Sequence, residues 1–156
     1  MDKLFWLLPG KLAGRPGPDR EPWDLDALRR CGIRAVLSVN DGRMVHMEDL
    51  AKRNIAYACI PLSENAPPRE GDAEVCRVAL PRAYRFVTGQ MDRGQAVLVH
   101  CSSGKDRTGL FLCYFLMRHF GWSLEKALCR VHEVRLIALS AEGWREFSVE
   151  LLSHGI

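Results

Sequence analysis

Ala96-Val97-Leu98-Val99 is an unbroken apolar run closed by His100, and a second apolar run, Leu110-Phe111-Leu112-Cys113-Tyr114-Phe115-Leu116, begins just beyond Gly109. A short run without polar alternation reads as a strand buried on both faces, which requires a parallel sheet covered by helices on either side. The second run lies within a stretch from Arg107 to Phe120, stopped by Gly121, that has the length of a helix. A buried strand entering a polar loop and then a helix confines the chain to an α/β architecture, with the loop at the carboxyl edge of the sheet.

The residues of that loop, Cys101-Ser102-Ser103-Gly104-Lys105-Asp106-Arg107-Thr108, answer the demands of phosphate-ester cleavage through a covalent cysteinyl-phosphate. Successive backbone N–H groups in a Gly-containing loop, closed by a helix N-terminus, make an anion cradle. The same positive field favours the thiolate of a cysteine at its mouth, which makes Cys101 the candidate nucleophile. Arg107 can fork two N–H donors onto two phosphate oxygens. Thr108 can donate its hydroxyl to the thiolate, as nucleophile and again as leaving group. Ser102, Ser103, Gly104, Lys105, Asp106 and Arg107 form the candidate phosphate-binding set, supported by His100 and Gly109.

This stretch resembles the signature of the cysteine-dependent protein tyrosine and dual-specificity phosphatases, His-Cys-x-x-Gly-x-x-Arg-[Ser/Thr]-Gly, filled here by His100, Cys101, Gly104, Arg107, Thr108 and Gly109. The likeness implies a tyrosine-phosphatase-like fold and a phosphomonoester hydrolase that needs neither metal nor cofactor. Leu8-Pro9-Gly10-Lys11-Leu12-Ala13-Gly14 is similar to the opening of small atypical dual-specificity phosphatases. Arg135 resembles an arginine that supports the phosphate loop from behind, although Leu136 stands where the family has a proline.

Two residues compete for the role of general acid, which protonates the departing oxygen. Dual-specificity members often carry an aspartate directly after a loop proline, a position held here by Leu62. The phosphatase-and-tensin-homologue lipid phosphatases carry it three residues after that proline, and counting from Pro61 to Pro68 this slot is Glu64. Asp106 is the second candidate. The run Gly104-Lys105-Asp106-Arg107-Thr108-Gly109 resembles the loop of bacterial tyrosine/lipid phosphatases, and its Asp-Arg-Thr resembles that of myotubularin-like lipid phosphatases. Asp106 also reads as a salt-bridge partner within the loop, and Glu64 as a solvated charge.

Elsewhere the periodicity predicts strands over residues 4–8, 11–13, 33–39 and 55–60. It predicts helices over residues 23–31 with Asp24 as cap, 45–53, 72–91 with Pro81 kinking or dividing it, 107–120, and 124–134 with Ser123 as cap. A last helix, capped by Ser140, ends near residue 152. The Asn40-Asp41-Gly42-Arg43 turn and the loop over residues 61–68 fall on the same sheet edge as the cradle. The four tryptophans read as core or capping aromatics.

At 156 residues, 47% hydrophobic and 26% charged, residues 1–156 read as a single globular domain. A net charge of +3 suits an anionic substrate but not a nucleic-acid binder. Leu4-Phe5-Trp6-Leu7-Leu8 is too short for a signal core or a membrane span. The six cysteines show no zinc spacing and read as reduced core thiols of a cytoplasmic protein. Cys59 is in addition a candidate disulfide partner for an oxidised Cys101. The expected partner is a phosphorylated protein, first of the phosphotyrosine type, or a phosphoinositide, which the loop lysine favours. An adaptor that binds phosphate without turnover is the reading from another class. A rhodanese-type transferase is disfavoured because its loop has four residues between Cys and Arg. A nucleotide P-loop fails because no glycine stands five residues before Gly104.

Overall fold

The computed structural model describes residues 3–154. Five strands form one sheet: β1 (Phe5–Leu8), β2 (Leu12–Pro16), β3 (Ile33–Ser38), β4 (Ala56–Cys59) and β5 (Ala96–Cys101), in the order β1-β2-β5-β3-β4. The β1–β2 hairpin is antiparallel, and β2, β5, β3 and β4 run parallel. The apolar strand that ends at Cys101 is therefore the central one, and all of its residues are buried.

Side chains alternate across the pleat. Val97, Val99 and Cys101 face the larger cluster, built with α3 (Asp72–Met91), α4 (Asp106–Phe120), α5 (Leu124–Val134) and α6 (Trp144–Ser153). Ala96 and Leu98 face the smaller one, closed by Leu28 of α1 (Leu25–Arg30) and Leu50 of α2 (Met47–Lys52). The helices thus lie on both faces of a mainly parallel sheet. Among the described residues, no helix is long and apolar enough to cross a membrane.

Asp24 caps α1 by accepting the Ala27 N–H, and Ser123 caps α5 by accepting the Lys126 N–H, as the sequence predicts. The helix expected over residues 45–53 runs only from Met47 to Lys52, because Val45 and His46 are extended between it and a 3-10 turn at Gly42–Met44. Pro81 does not divide α3. Cys76, Leu80, Ala83 and Val87 are buried at helical spacing on either side of it, so packing carries the helix through. The Ser140 cap is a correction: α6 starts at Trp144 behind a left-handed Gly143. The amides of Leu139 and Ala141 are given to Lys105 O and Asp106 Oδ1, which ties this segment to the start of α4.

The cysteines correct two expectations. Cys76 and Cys113 are core thiols, pushed by burial up to about 11 and about 12, but Cys31, Cys59 and Cys129 are exposed. Cys59 pairs with Ser38, and Ser38 with His100, so β3 lies between Cys59 and the strand of Cys101. Two ladder spacings of about 4.8 Å separate those outer strands, beyond the Cα separation of about 4.4–6.8 Å that a disulfide accepts. By the pleat, Cys59 also points to the opposite face from Cys101. Peroxide-treated protein, alkylated and digested without reduction, is expected to yield no Cys59–Cys101 linked peptide by mass spectrometry. Recovery of that peptide would require the sheet edge to rearrange.

Candidate active site

The link from β5 to α4 is shaped from outside. Ser102 O accepts the Gly17 N–H at 2.9 Å, Ser103 O accepts Arg135 Nη2–H at 2.7 Å, and Gly104 O accepts Arg135 Nε–H at 3.3 Å. Lys105 O accepts the N–H groups of Gly109 and Leu139, each at 3.1 Å. In a trans peptide the C=O and the following N–H point in opposite directions. With four successive carbonyls drawn outward, the N–H groups of Ser103, Gly104, Lys105 and Asp106 turn inward around one centre. That is an anion cradle. Gly104 is required in it: φ is +66°, and a Cβ would stand 2.5–2.7 Å from backbone atoms of Arg15 and Pro16.

Cys101 is buried at the base of this ring, where Thr108 Oγ1–H donates to its Sγ at 3.1 Å. His100 points to the opposite face, edge-on to Trp23 at 4.8 Å. Its Nδ1 lies 3.0 Å from Cys101 O, which can only accept, so Nδ1 carries the proton. Nε2 then accepts from Ser38 Oγ at 2.6 Å, and Ser38 Oγ accepts from Tyr57 Oη at 2.7 Å. One carbonyl orders the whole chain of donors. Burial pushes the His100 imidazole down to about 4 and the Tyr57 phenol up to about 12, so both stay neutral.

Arg107, nearly buried, reaches across to the loop between β4 and α3. Its Nε–H donates to Ser63 O at 2.8 Å and its Nη2–H to Asn65 O at 3.2 Å. Glu64, exposed, is the residue between those carbonyls and lines a cleft of about 320 Å³ with Asp41, Arg43, Cys59 and Pro61. Asp106 is oriented differently. Its Oδ1 accepts the Ala141 N–H at 3.1 Å and its Oδ2 the Lys105 Nζ–H at 2.8 Å, with the residue 5% exposed. Both of its oxygens are engaged outside the ring of amides.

Several participants have no sequence signal. Buried Asp72 holds the Glu64 loop by accepting the Arg69 N–H and both contacts from Asn65 Nδ2. Burial raises its carboxyl, but those donors and the Ser63 hydroxyl outweigh burial and hold it below the ordinary range. Arg20 donates Nε–H to Ser102 Oγ at 3.2 Å. Trp144 lies beneath Arg107, its ring centroid 4.8 Å from the guanidinium carbon. Arg135, whose sequence match departs from the family at the next residue, does brace the loop from behind.

Residues 21–148 match the family described as "Dual specificity phosphatase, catalytic domain". Mouse "Protein phosphatase Slingshot homolog 3" is 36% identical over 61 residues, which is 39% of this chain and 9% of that protein. Human "Dual specificity protein phosphatase 2" is 29% identical over 114 residues, which is 72% of this chain and 32% of that protein. The chain thus spans about a third or less of the length of these relatives. Among solved structures, Tk-PTP in the active form superposes with a TM-score of 0.76 at 24% identity, over 98% of each chain. That likeness is one of fold.

Gly104→Ala is expected to distort the cradle and lower phosphate-ester turnover at least tenfold, because the clash is with backbone and φ is left-handed. Steady-state kinetics on the folded variant test this. Neutral His100 also makes the fold acid-sensitive. Its folded pKa lies below the unfolded value, so the unfolded chain binds the proton first. Stability from this group is complete above pH 6.5 and is lost as pH falls to about 4, amounting to roughly 3 kcal/mol. Denaturant unfolding of His100→Asn is expected to show a shallower pH slope across that window than the wild type.

Proposed function

Because this chain belongs to the dual specificity phosphatase catalytic-domain family, we propose that it hydrolyses phosphomonoesters through a cysteinyl-phosphate on Cys101, as a single domain over residues 1–156. The observation that carries this reading is the Thr108 hydroxyl on Cys101 Sγ at the base of the inward-facing amides of residues 103–106. The Cys101 thiolate attacks phosphorus, and the bond to the ester oxygen breaks. The amides and Arg107 bind the three non-bridging oxygens, where charge develops in the transition state. Water then attacks the cysteinyl-phosphate, the S–P bond breaks, and the Thr108 hydroxyl stabilises the thiolate as it leaves.

Glu64 is the proposed proton donor. Support for this comes from Arg107, the proposed phosphoryl ligand, which is bonded to the carbonyls on both sides of Glu64 and so ties its loop to the cradle. Protonated Glu64 gives its proton to that oxygen in the first step, and its carboxylate takes one from water in the second. Asp106 is less suited, since both its oxygens are engaged by Ala141 and Lys105. In this assignment Asp106 is the residue that ties the start of α4 to the segment before α6.

Phosphorylated protein side chains are the proposed substrates. The Lys105 ammonium is paired with Asp106 at 2.8 Å, which neutralises locally the extra positive charge that would favour a phosphoinositide headgroup. The exposed thiols of Cys31, Cys59 and Cys129 suit a reducing, cytoplasmic setting.

Phosphate release from para-nitrophenyl phosphate, phosphotyrosine and phosphoserine peptides and a phosphoinositide panel tests this reading. Turnover is expected on the peptides, with none in Cys101→Ser. Faster turnover on phosphoinositides would transfer the substrate class, and peptide binding without turnover would mark an adaptor. On phosphotyrosine peptide, Glu64→Gln is expected to lower kcat about 10²–10⁴-fold and flatten the basic limb of the kcat/KM profile. Asp106→Asn should leave that limb in place, and the reverse pattern would exchange the two assignments.

A further inference from the structure

The segment between α5 and α6 touches both halves of the site. Toward the cradle, Leu139 N–H donates to Lys105 O and Ala141 N–H to Asp106 Oδ1. Toward the Glu64 loop, Gly143 packs so closely that a Cβ there would meet Pro67 and Pro68 at 3.2 Å. The next residue, Trp144, is fully buried. Its ring lies against the Arg107 guanidinium, and its Nε1–H donates to Asn65 O at 3.3 Å.

Asn65 O is therefore a shared acceptor. It takes Arg107 Nη2–H at 3.2 Å and Trp144 Nε1–H at 3.3 Å, one for each lone pair. The two donors differ in what else they can bind. A phosphoryl group recruits guanidinium N–H groups bidentately, and Arg107 has five, of which Nε–H and one Nη2–H are given to Ser63 O and Asn65 O. The guanidinium can therefore serve the loop and a phosphate together. The indole carries a single donor, and that one serves the loop alone. Its ring keeps the guanidinium on the same face by cation–π attraction when phosphate joins the partners of Arg107.

We propose that Trp144 is a positioning residue which holds the Glu64 loop over the cradle while Arg107 serves the loop and the phosphate together. This rests on the assignment of Glu64 as the proton donor. Trp144 touches neither substrate nor reacting atom. It acts through Asn65 O on the position of the neighbouring residue, and misplacement of a general acid by a fraction of a hydrogen-bond length is felt in the chemical step.

The dependence on leaving group separates this role from a general structural one. An ester with a poor leaving group, phosphotyrosine peptide, needs the acid. An ester with a good one, 2,4-dinitrophenyl phosphate, departs without it. Trp144→Phe keeps a ring beneath Arg107 and removes the N–H. It is expected to lower kcat on the phosphotyrosine peptide about tenfold while changing turnover of the dinitrophenyl ester and inhibition by tungstate less than about threefold. In the Glu64→Gln background the same substitution is expected to add nothing further on the peptide, since its effect passes through Glu64. Equal losses on both esters, no loss on either, or additivity with Glu64→Gln would overturn the proposal. Should Trp144→Phe not fold, replacement of Trp144 by 3-benzothienylalanine, which keeps the fused ring and lacks the N–H, carries the same comparison. Glu64→Gln run alone tells the two failures apart. If it lacks leaving-group dependence, the acid assignment falls and this role with it. If it has that dependence and Trp144→Phe does not, only the role of Trp144 falls.

Discussion

Four backbone carbonyls, from Ser102 to Lys105, are drawn outward, and the site depends on this. Inward-pointing N–H dipoles of like sign repel one another, so a loop of this kind has no reason to form on its own. It is held by donors from three separate parts of the chain: Gly17 after β2, Arg135 at the end of α5, and Leu139 in the link to α6. The cradle is thus a product of the assembled sheet and helices. An incoming anion satisfies dipoles that the fold has already aligned.

The pleat of β5 divides the labour. Cys101 and His100 are neighbours in sequence and point to opposite faces. The thiol meets the N-terminal turn of α4, where Thr108 reaches it. The imidazole is buried edge-on to Trp23, and it is hydrogen-bonded to Cys101 O and Ser38 Oγ. Burial keeps that ring neutral, and the Cys101 carbonyl, which can only accept, fixes its tautomer. The same pleat carries Cys59 to the His100 face, away from the thiol.

The Glu64 loop is organised by backbone as much as by side chains. Arg107 and Trp144 approach its carbonyls from one side, and Asp72 gathers Asn65 and the Arg69 amide from the other. Arg107, the candidate phosphate ligand, is therefore also a tether of the loop that carries Glu64. Anion binding and loop position become two uses of one guanidinium, with the indole beneath it common to both.

What the sequence determined by itself is what depends on neighbours a few residues apart. Unbroken apolarity marked β5 as a central strand, helical spacing marked α3 to α5, and Asp24 and Ser123 read as caps because a cap acts over three residues. The loop chemistry of Cys101, Gly104, Arg107 and Thr108 was legible for the same reason. Tertiary structure alone decided matters that join distant segments. The start of α6 lies at Trp144 and not behind Ser140, and the segment before it is tied by its amides at residues 139 and 141 to residues 105 and 106. Asp106 acquired Ala141 as partner, Trp144 came to lie beneath Arg107, and Cys59 was separated from Cys101 by a whole strand. A hydrogen bond spanning dozens of residues leaves no periodicity in the chain, so only the packed fold records it.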